Sequence, residues 1–138
     1  NLTGHFLCAR AFGRRMVAAG RGAVVNTASG RALAGAARGA HYASTKGAIV
    51  SLTKSLALEW AKHGVRVNCV IPGISETAQP LEDTPLEELK AFAARAIPMG
   101  RIGQPDEIAA VVAFLLGGDA RYMTGQAVAV NGGAIMIP

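Results

Sequence analysis

Two short β-branched runs, Ala23 to Ala28 (AVVNTA) and Val65 to Ile71 (VRVNCVI), flank one long helical pattern from His41 to His63. Turn formers bound the runs: Gly22 precedes the first and Ser29-Gly30 follows it, and Pro72-Gly73 closes the second, as expected of strands. The stretch between them carries Ile49, Leu52, Leu56 and Trp60 on one side and stops at Gly64, the spacing and stop signal of a helix. Strand, long helix and strand make a βαβ unit, which joins parallel strands through a right-handed crossover. A parallel sheet is covered on both faces, so the expected class is α/β. Its ligand crevice then lies outside the carboxyl ends of the strands, at Ser29 and at Pro72-Gly73.

The rest of the chain fits around that unit. Leu2, Phe6, Ala9, Phe12, Met16 and Val17 form a broad helical stripe over residues 2 to 19, interrupted by Gly13 and ended by Gly20. A glycine- and alanine-rich loop runs from Ser29 to about Ala40. The connection from Ile74 to Met99 is acidic, and Thr84-Pro85-Leu86-Glu87 inside it has a capping residue, a proline for the first helical position and a glutamate at the third. A short helix on a long connection beside a crevice suits a substrate lid, and a plain surface excursion equally. Pro105 to Leu116 reads as a helix with two acids in its first turn, and Gln126 to Val130 as a last strand.

At 138 residues and 51% hydrophobic content, the chain has one domain's length and material for a core. Its formal charge of +5 comes from arginines scattered along the sequence, without the clustering or aromatic interleaving that nucleic-acid binding needs. No nucleic-acid partner is expected. No apolar run reaches the roughly 18 residues of a membrane span, and no secretion signal is visible at the start. A cytoplasmic location and no membrane association are expected. Cys8 and Cys69 lack any metal-ligand spacing, so both are expected as buried free thiols and no metal site is expected.

His41-Tyr42-Ala43-Ser44-Thr45-Lys46 places a phenol and an ammonium one helical turn apart. Taken singly, the two are an ordinary half-buried aromatic and a solvated lysine, and Ser29 is a turn serine. The order of motifs changes that reading. Tyr42 stands thirteen residues after Ser29, Lys46 four after Tyr42, and Asn68-Cys69-Val70-Ile71-Pro72-Gly73 follows. Farther on come Arg101-Ile102-Gly103-Gln104-Pro105-Asp106-Glu107-Ile108, then Thr124-Gly125-Gln126 and Asn131-Gly132-Gly133. The ordered set resembles the C-terminal half of the short-chain dehydrogenase/reductase family, and the likeness covers essentially all 138 residues. In style it is similar to 3-oxoacyl-carrier-protein reductases and sugar-acid dehydrogenases.

The resemblance implies a doubly wound, Rossmann-like parallel sheet. It implies an enzyme using NAD or NADP to interconvert a secondary alcohol and a ketone by hydride transfer. Tyr42 is then the general acid/base on the substrate oxygen. A free phenol, with a pKa of about 10, is a poor base near neutrality, and a nearby ammonium favours the phenolate. Lys46 is placed to do this for Tyr42, and the resemblance also assigns it a hydrogen bond to the nicotinamide ribose. Ser29, at a strand end, can donate to the substrate carbonyl. Asn1, in Asn-Leu-Thr-Gly-His-Phe, resembles the asparagine that holds a water linking the lysine to solvent. Pro72, Gly73, Ser75 and Thr77 match the segment that cradles the nicotinamide carboxamide and adjacent phosphates. Ser75 departs from the usual Ile or Val there, but a backbone contact is expected to survive the change.

One family feature has no counterpart in these residues. No glycine-rich turn leads from a strand into a helix, and Gly20-Arg21-Gly22 leads into a strand instead. The expectation is therefore that residues 1–138 are the C-terminal part of a single Rossmann-like domain, with its lid at about 74–99, in a protein about twice as long. The helices at 2–19 and 41–63 carry more apolar width than one sheet face needs, including Phe6, Leu7, Cys8, Val50, Ala57, Leu58 and Ala61. A homodimer or homotetramer of the complete protein, acting on a small alcohol or ketone, is the expected assembly. The alternative is a truncated, non-catalytic chain that serves as an oligomerisation partner.

Overall fold

The computed structural model describes residues 1–136. Helix α1 (Leu2–Ala19) leads into strand β1 (Gly22–Thr27), a short helix α2 (Arg31–Ala34) and the long helix α3 (Ala40–Trp60). Strand β2 (Val65–Pro72), helices α4 (Ala78–Asp83), α5 (Leu86–Ala96) and α6 (Pro105–Leu116), and strand β3 (Ala127–Val130) complete the described chain. The three strands form one parallel sheet in the order β1-β2-β3. The expected α/β class, helices and strands are all present. The loop after Ser29 and the acidic connection each contain an additional short helix.

Period-two alternation in β2 sorts the core into two layers. Val65, Val67, Cys69 and Ile71 face α1 and α3, whereas Val70 joins Leu115 and Ala120 beneath α6. Every one of these side chains is buried. The opposite face of β2 also carries two polar residues with structural tasks. Asn68 is buried, donates to the Met123 carbonyl and accepts from the Gln126 amide, which brings the chain into β3. Arg66 donates to the carbonyls of Leu115 and Gly117 at 2.7 and 3.0 Å, closing the negative end of α6.

A left-handed glycine ends α1 and the turn that follows α3. Gly20 and Gly64 adopt φ of +66° and +72°, the left-handed cap conformation that a Cβ disfavours. Between α3 and Gly64, Ala61–His63 form a turn of 3-10 helix, so the single helix read from the sequence ends one turn earlier.

The buried face of α1 is narrower than its apolar stripe. Only Ala9 and Gly13 are buried, while Phe6 and Phe12 are 52% and 56% exposed. Gly13 makes the close contact: a Cβ there would lie 2.6 Å from Cζ2 of Trp60. The glycine that interrupts the pattern is thus what lets the indole of α3 reach the α1 backbone. Ala57, expected among the surplus residues of α3, lies in the core, whereas Leu58 is 84% exposed. Cys69 is buried but Cys8 is exposed, correcting the expectation of two buried thiols. Burial pushes the Cys69 thiol up from its ordinary pKa.

The expected start of the helix in the acidic connection shifts by one residue. Pro85 occupies the cap position with ψ of 144°, Leu86 begins α5, and no side chain caps it. The restriction that proline places on its predecessor keeps Thr84 extended and away from the helix. Leu89, Ala93, Ile97 and Ile102 bury a small core of their own under this segment.

Candidate active site

Asn1, Ser29, Tyr42 and Lys46 come from three elements, and hydrogen bonds tie those elements together. Lys46 of α3 donates to the Thr27 carbonyl at the end of β1, 3.0 Å away. This places the ammonium beside the strand end from which Ser29 follows two residues later. One register lower, the buried Asn26 side chain donates to Thr53 Oγ1 at 2.9 Å, and Thr53 donates to the Ile49 carbonyl. Two successive links therefore hold α3 to β1.

Tyr42 lies one turn before Lys46. The ammonium stands over its ring, 5.7 Å from the centroid, within cation–π range. Both residues are half-buried. Thr45, between them, donates to the Tyr42 carbonyl at 2.8 Å and accepts from Asn1 Nδ2 at 3.3 Å. His5 Nδ1 lies 2.7 Å from the Asn1 carbonyl, so the start of α1 is tied both to itself and to α3. Thr45 sits inside the quoted HYASTK stretch, but its link to Asn1 spans 44 positions, which no local pattern reveals.

Ser29 leaves β1 just after Ala28, whose amide donates to the Val70 carbonyl. Its hydroxyl oxygen accepts from the Arg31 amide at 3.3 Å, which leaves the hydroxyl hydrogen available to a further acceptor. Gly30 and the short α2 then turn the chain across α3 toward Tyr42.

Pro72 and Gly73 close β2 in the same row of strand ends. The Gly73 amide donates to the Val130 carbonyl, and a Cβ on Gly73 would come within 2.8 Å of the Asn131 Cα. Ser75 forms an isolated parallel bridge with Gly103. The bonds of that bridge run from the Gly103 amide to the Ile74 carbonyl and from the Glu76 amide to the Gly103 carbonyl. In such pairing the bonded groups belong to the flanking residues, so the Ser75 amide faces away from Gly103. Thr77 is exposed and its amide donates to the Ser75 carbonyl.

The segment behind the crevice is braced by charge. Arg101 grips Glu107 with two bonds of 2.6 and 2.8 Å, and Glu107 also accepts from the Gln104 amide at the start of α6. The Arg101 hydrogen bonds, with the Gln104 amide, hold the Glu107 carboxyl down to about 2. Among the described residues no cluster of His, Cys, Asp and Glu could hold a metal ion. No described helix is long and apolar enough to cross a membrane.

A model of the family described as enoyl-(acyl carrier protein) reductase matches residues 1–134. Galactitol 2-dehydrogenase (L-tagatose-forming) of Cereibacter sphaeroides is 44% identical over 135 residues, 96% of this chain and 53% of its own. The (3R)-3-hydroxyacyl-CoA dehydrogenase of Mus musculus is 38% identical over 137 residues, 99% of this chain and 52% of its own. A 3-oxoacyl-[acyl-carrier protein] reductase from Brucella melitensis, solved with bound NAD, superposes with a TM-score of 0.88 at 40% identity. That match covers 99% of this chain and 50% of the Brucella chain. The chain thus spans about half the length of the curated relatives it matches.

Proposed function

We propose, from the premise that this chain belongs to the short-chain dehydrogenase/reductase family, that the protein interconverts a secondary alcohol and a ketone with NAD or NADP. The observation that carries the reading is the linked arrangement of Asn1, Tyr42 and Lys46 around the strand end that leads to Ser29. An oxidoreductase needs a proton donor and a carbonyl-polarising group at one point of its crevice, and these four residues supply both.

The described residues fit a nicotinamide group. The Ser75 amide, turned away from Gly103, offers a backbone donor that does not depend on the side chain, so serine serves as well as a branched residue. Pro72, Gly73 and Thr77 lie in the same segment, and Lys46 and Tyr42 of α3 are assigned to the ribose side of the group. The pyrophosphate contacts are expected outside these residues, because no glycine-rich strand-to-helix turn occurs among them. Bound in this cradle, the dinucleotide supplies or accepts the hydride.

The chain's own residues handle the oxygen and its proton. Ser29 donates to the substrate oxygen as charge develops on it. Tyr42 gives that oxygen a proton during reduction and takes one during oxidation. Lys46, anchored on the Thr27 carbonyl, keeps its ammonium over the Tyr42 ring and so brings a fixed positive charge to the site. Asn1, through Thr45, ties the start of α1 to the start of α3, and is assigned the water that links Lys46 to solvent.

The same proposal includes a cytoplasmic, homo-oligomeric protein of natural length. The exposed Phe6, Phe12 and Leu58 on α1 and α3 support subunit packing, since such side chains are costly to leave in water. The test is Tyr42→Phe in the protein at its natural length. Turnover is expected to fall at least a hundredfold while dinucleotide affinity is retained. A non-catalytic assembly partner would show no turnover to lose, and unchanged turnover would refute the role of Tyr42.

A further inference from the structure

We infer that Ile135 is a specificity-determining residue, one that limits the size of the group a substrate carries on the Ser29 side of its reacting carbon. This rests on the oxidoreductase reading above and names a residue for which neither motif nor position in a strand or helix argues.

The turn after β3 brings it there. Asn131 lies against Gly73 at the end of β2, so closely that a Cβ on Gly73 would fall 2.9 Å from the Asn131 Cβ. Its side chain accepts from the Gly133 amide at 3.0 Å and donates to the Ile135 carbonyl at 2.9 Å. Gly132 and Gly133 take φ of +62° and +85°, values that side chains rarely adopt, and this folds the chain back over the strand ends. The turn also rests on the base of the acidic connection. The Met99 amide donates to the Gly132 carbonyl, and a Cβ on Gly132 would lie 2.9 Å from Ile97.

Held at its carbonyl by Asn131, Ile135 reaches Gly30, past the end of β1, with its side chain. A Cβ on Gly30 would come within 2.7 Å of Ile135 Cδ1, so the isoleucine sits directly over the residue that follows Ser29. Gly30 is buried under it, while Ile135 itself remains half-exposed. The branched side chain therefore covers Gly30, one residue beyond Ser29. Space next to a reacting carbonyl is then set by one apolar residue at a position fixed by Asn131. Substrates with a small substituent on this side are favoured over branched or aromatic ones.

Because one methylene in an apolar pocket changes discrimination by roughly 10- to 200-fold, trimming or enlarging this side chain has a measurable effect. The protein at its natural length, with Ile135→Ala and Ile135→Phe, is to be assayed with NAD and NADP. The alcohols are 2-butanol, ethyl 3-hydroxybutanoate, galactitol and 1-phenylethanol. Ile135→Ala is expected to raise the ratio of kcat/KM for 1-phenylethanol over 2-butanol about tenfold or more, and Ile135→Phe to lower it. The opposite directions keep the test valid if one variant folds poorly. Turnover with a ratio within about threefold of the parent in both variants would overturn the inference and leave the oxidoreductase reading standing. Absence of turnover with every alcohol in the parent protein would overturn that reading and this inference with it.

Discussion

Replacing Thr53 by valine tests the packing that holds the candidate catalytic helix to its strand. Valine has nearly the shape of threonine, so the change removes a hydroxyl and leaves no cavity. Thr53 is 1% exposed and Asn26 is 5% exposed, and the Asn26 amide donates to the Thr53 hydroxyl at 2.9 Å. With valine there, a buried donor loses its acceptor, which costs about 1–3 kcal/mol. The bond from Thr53 to the Ile49 carbonyl goes too, but that carbonyl lies within α3 and its loss contributes little. The expected destabilisation is about 2 kcal/mol. In urea titration, at a slope of about 1–3 kcal/mol per molar, the midpoint should drop by about 1 M. In an Asn26→Leu background the stranded donor is gone, and the same replacement should cost less than about 1 kcal/mol. A loss below about 0.5 kcal/mol in the parent, or equal losses in both backgrounds, would show that Thr53 is not the partner the Asn26 amide depends on.

Glu107 sets an acid dependence. Its carboxyl is held at about 2 against an ordinary 4.5. A carboxyl depressed in this way contributes stability that is complete above the ordinary value and disappears as pH falls through the folded one. Thermal stability of the parent should therefore decline between pH 4.5 and about 2 by more than that of Glu107→Gln. Equal declines would show that the Arg101 pair adds nothing. Gly13→Ala raises helix propensity by up to about 1 kcal/mol, yet its methyl group collides with Trp60. Net destabilisation of roughly 1–2 kcal/mol is expected, with a shift in the emission of the single tryptophan. A stabilised variant would mean that α1 and α3 separate easily.

The elements were legible because their signals are local. Gly20 ends α1 and Gly64 ends the turn after α3 in the left-handed conformation, where a glycine amide readily satisfies the last carbonyls. The β-branched runs read as strands for an equally local reason. The short helices Arg31–Ala34 and Ala78–Asp83 left no such trace. One turn or so of helix shows no periodicity to read, and Arg31–Ala34 owes its place to packing on α3.

The identities of the candidate residues were legible too, because Ser29, Tyr42 and Lys46 stand at spacings that a family resemblance can carry. Their mutual placement was not. The bond of Lys46 to the Thr27 carbonyl, of Asn1 to Thr45, and the seating of Ile135 over Gly30 join positions 19, 44 and 105 residues apart. Nothing in a local stretch encodes such a meeting. It follows from a parallel sheet that lines up the ends of β1, β2 and β3, and from glycines at 13, 30, 73 and 132 that let backbone and side chain approach. Local residue patterns dictate which elements form and which chemical groups stand at their ends. Which of those ends touch depends on how whole layers pack, and that is a property of the folded chain.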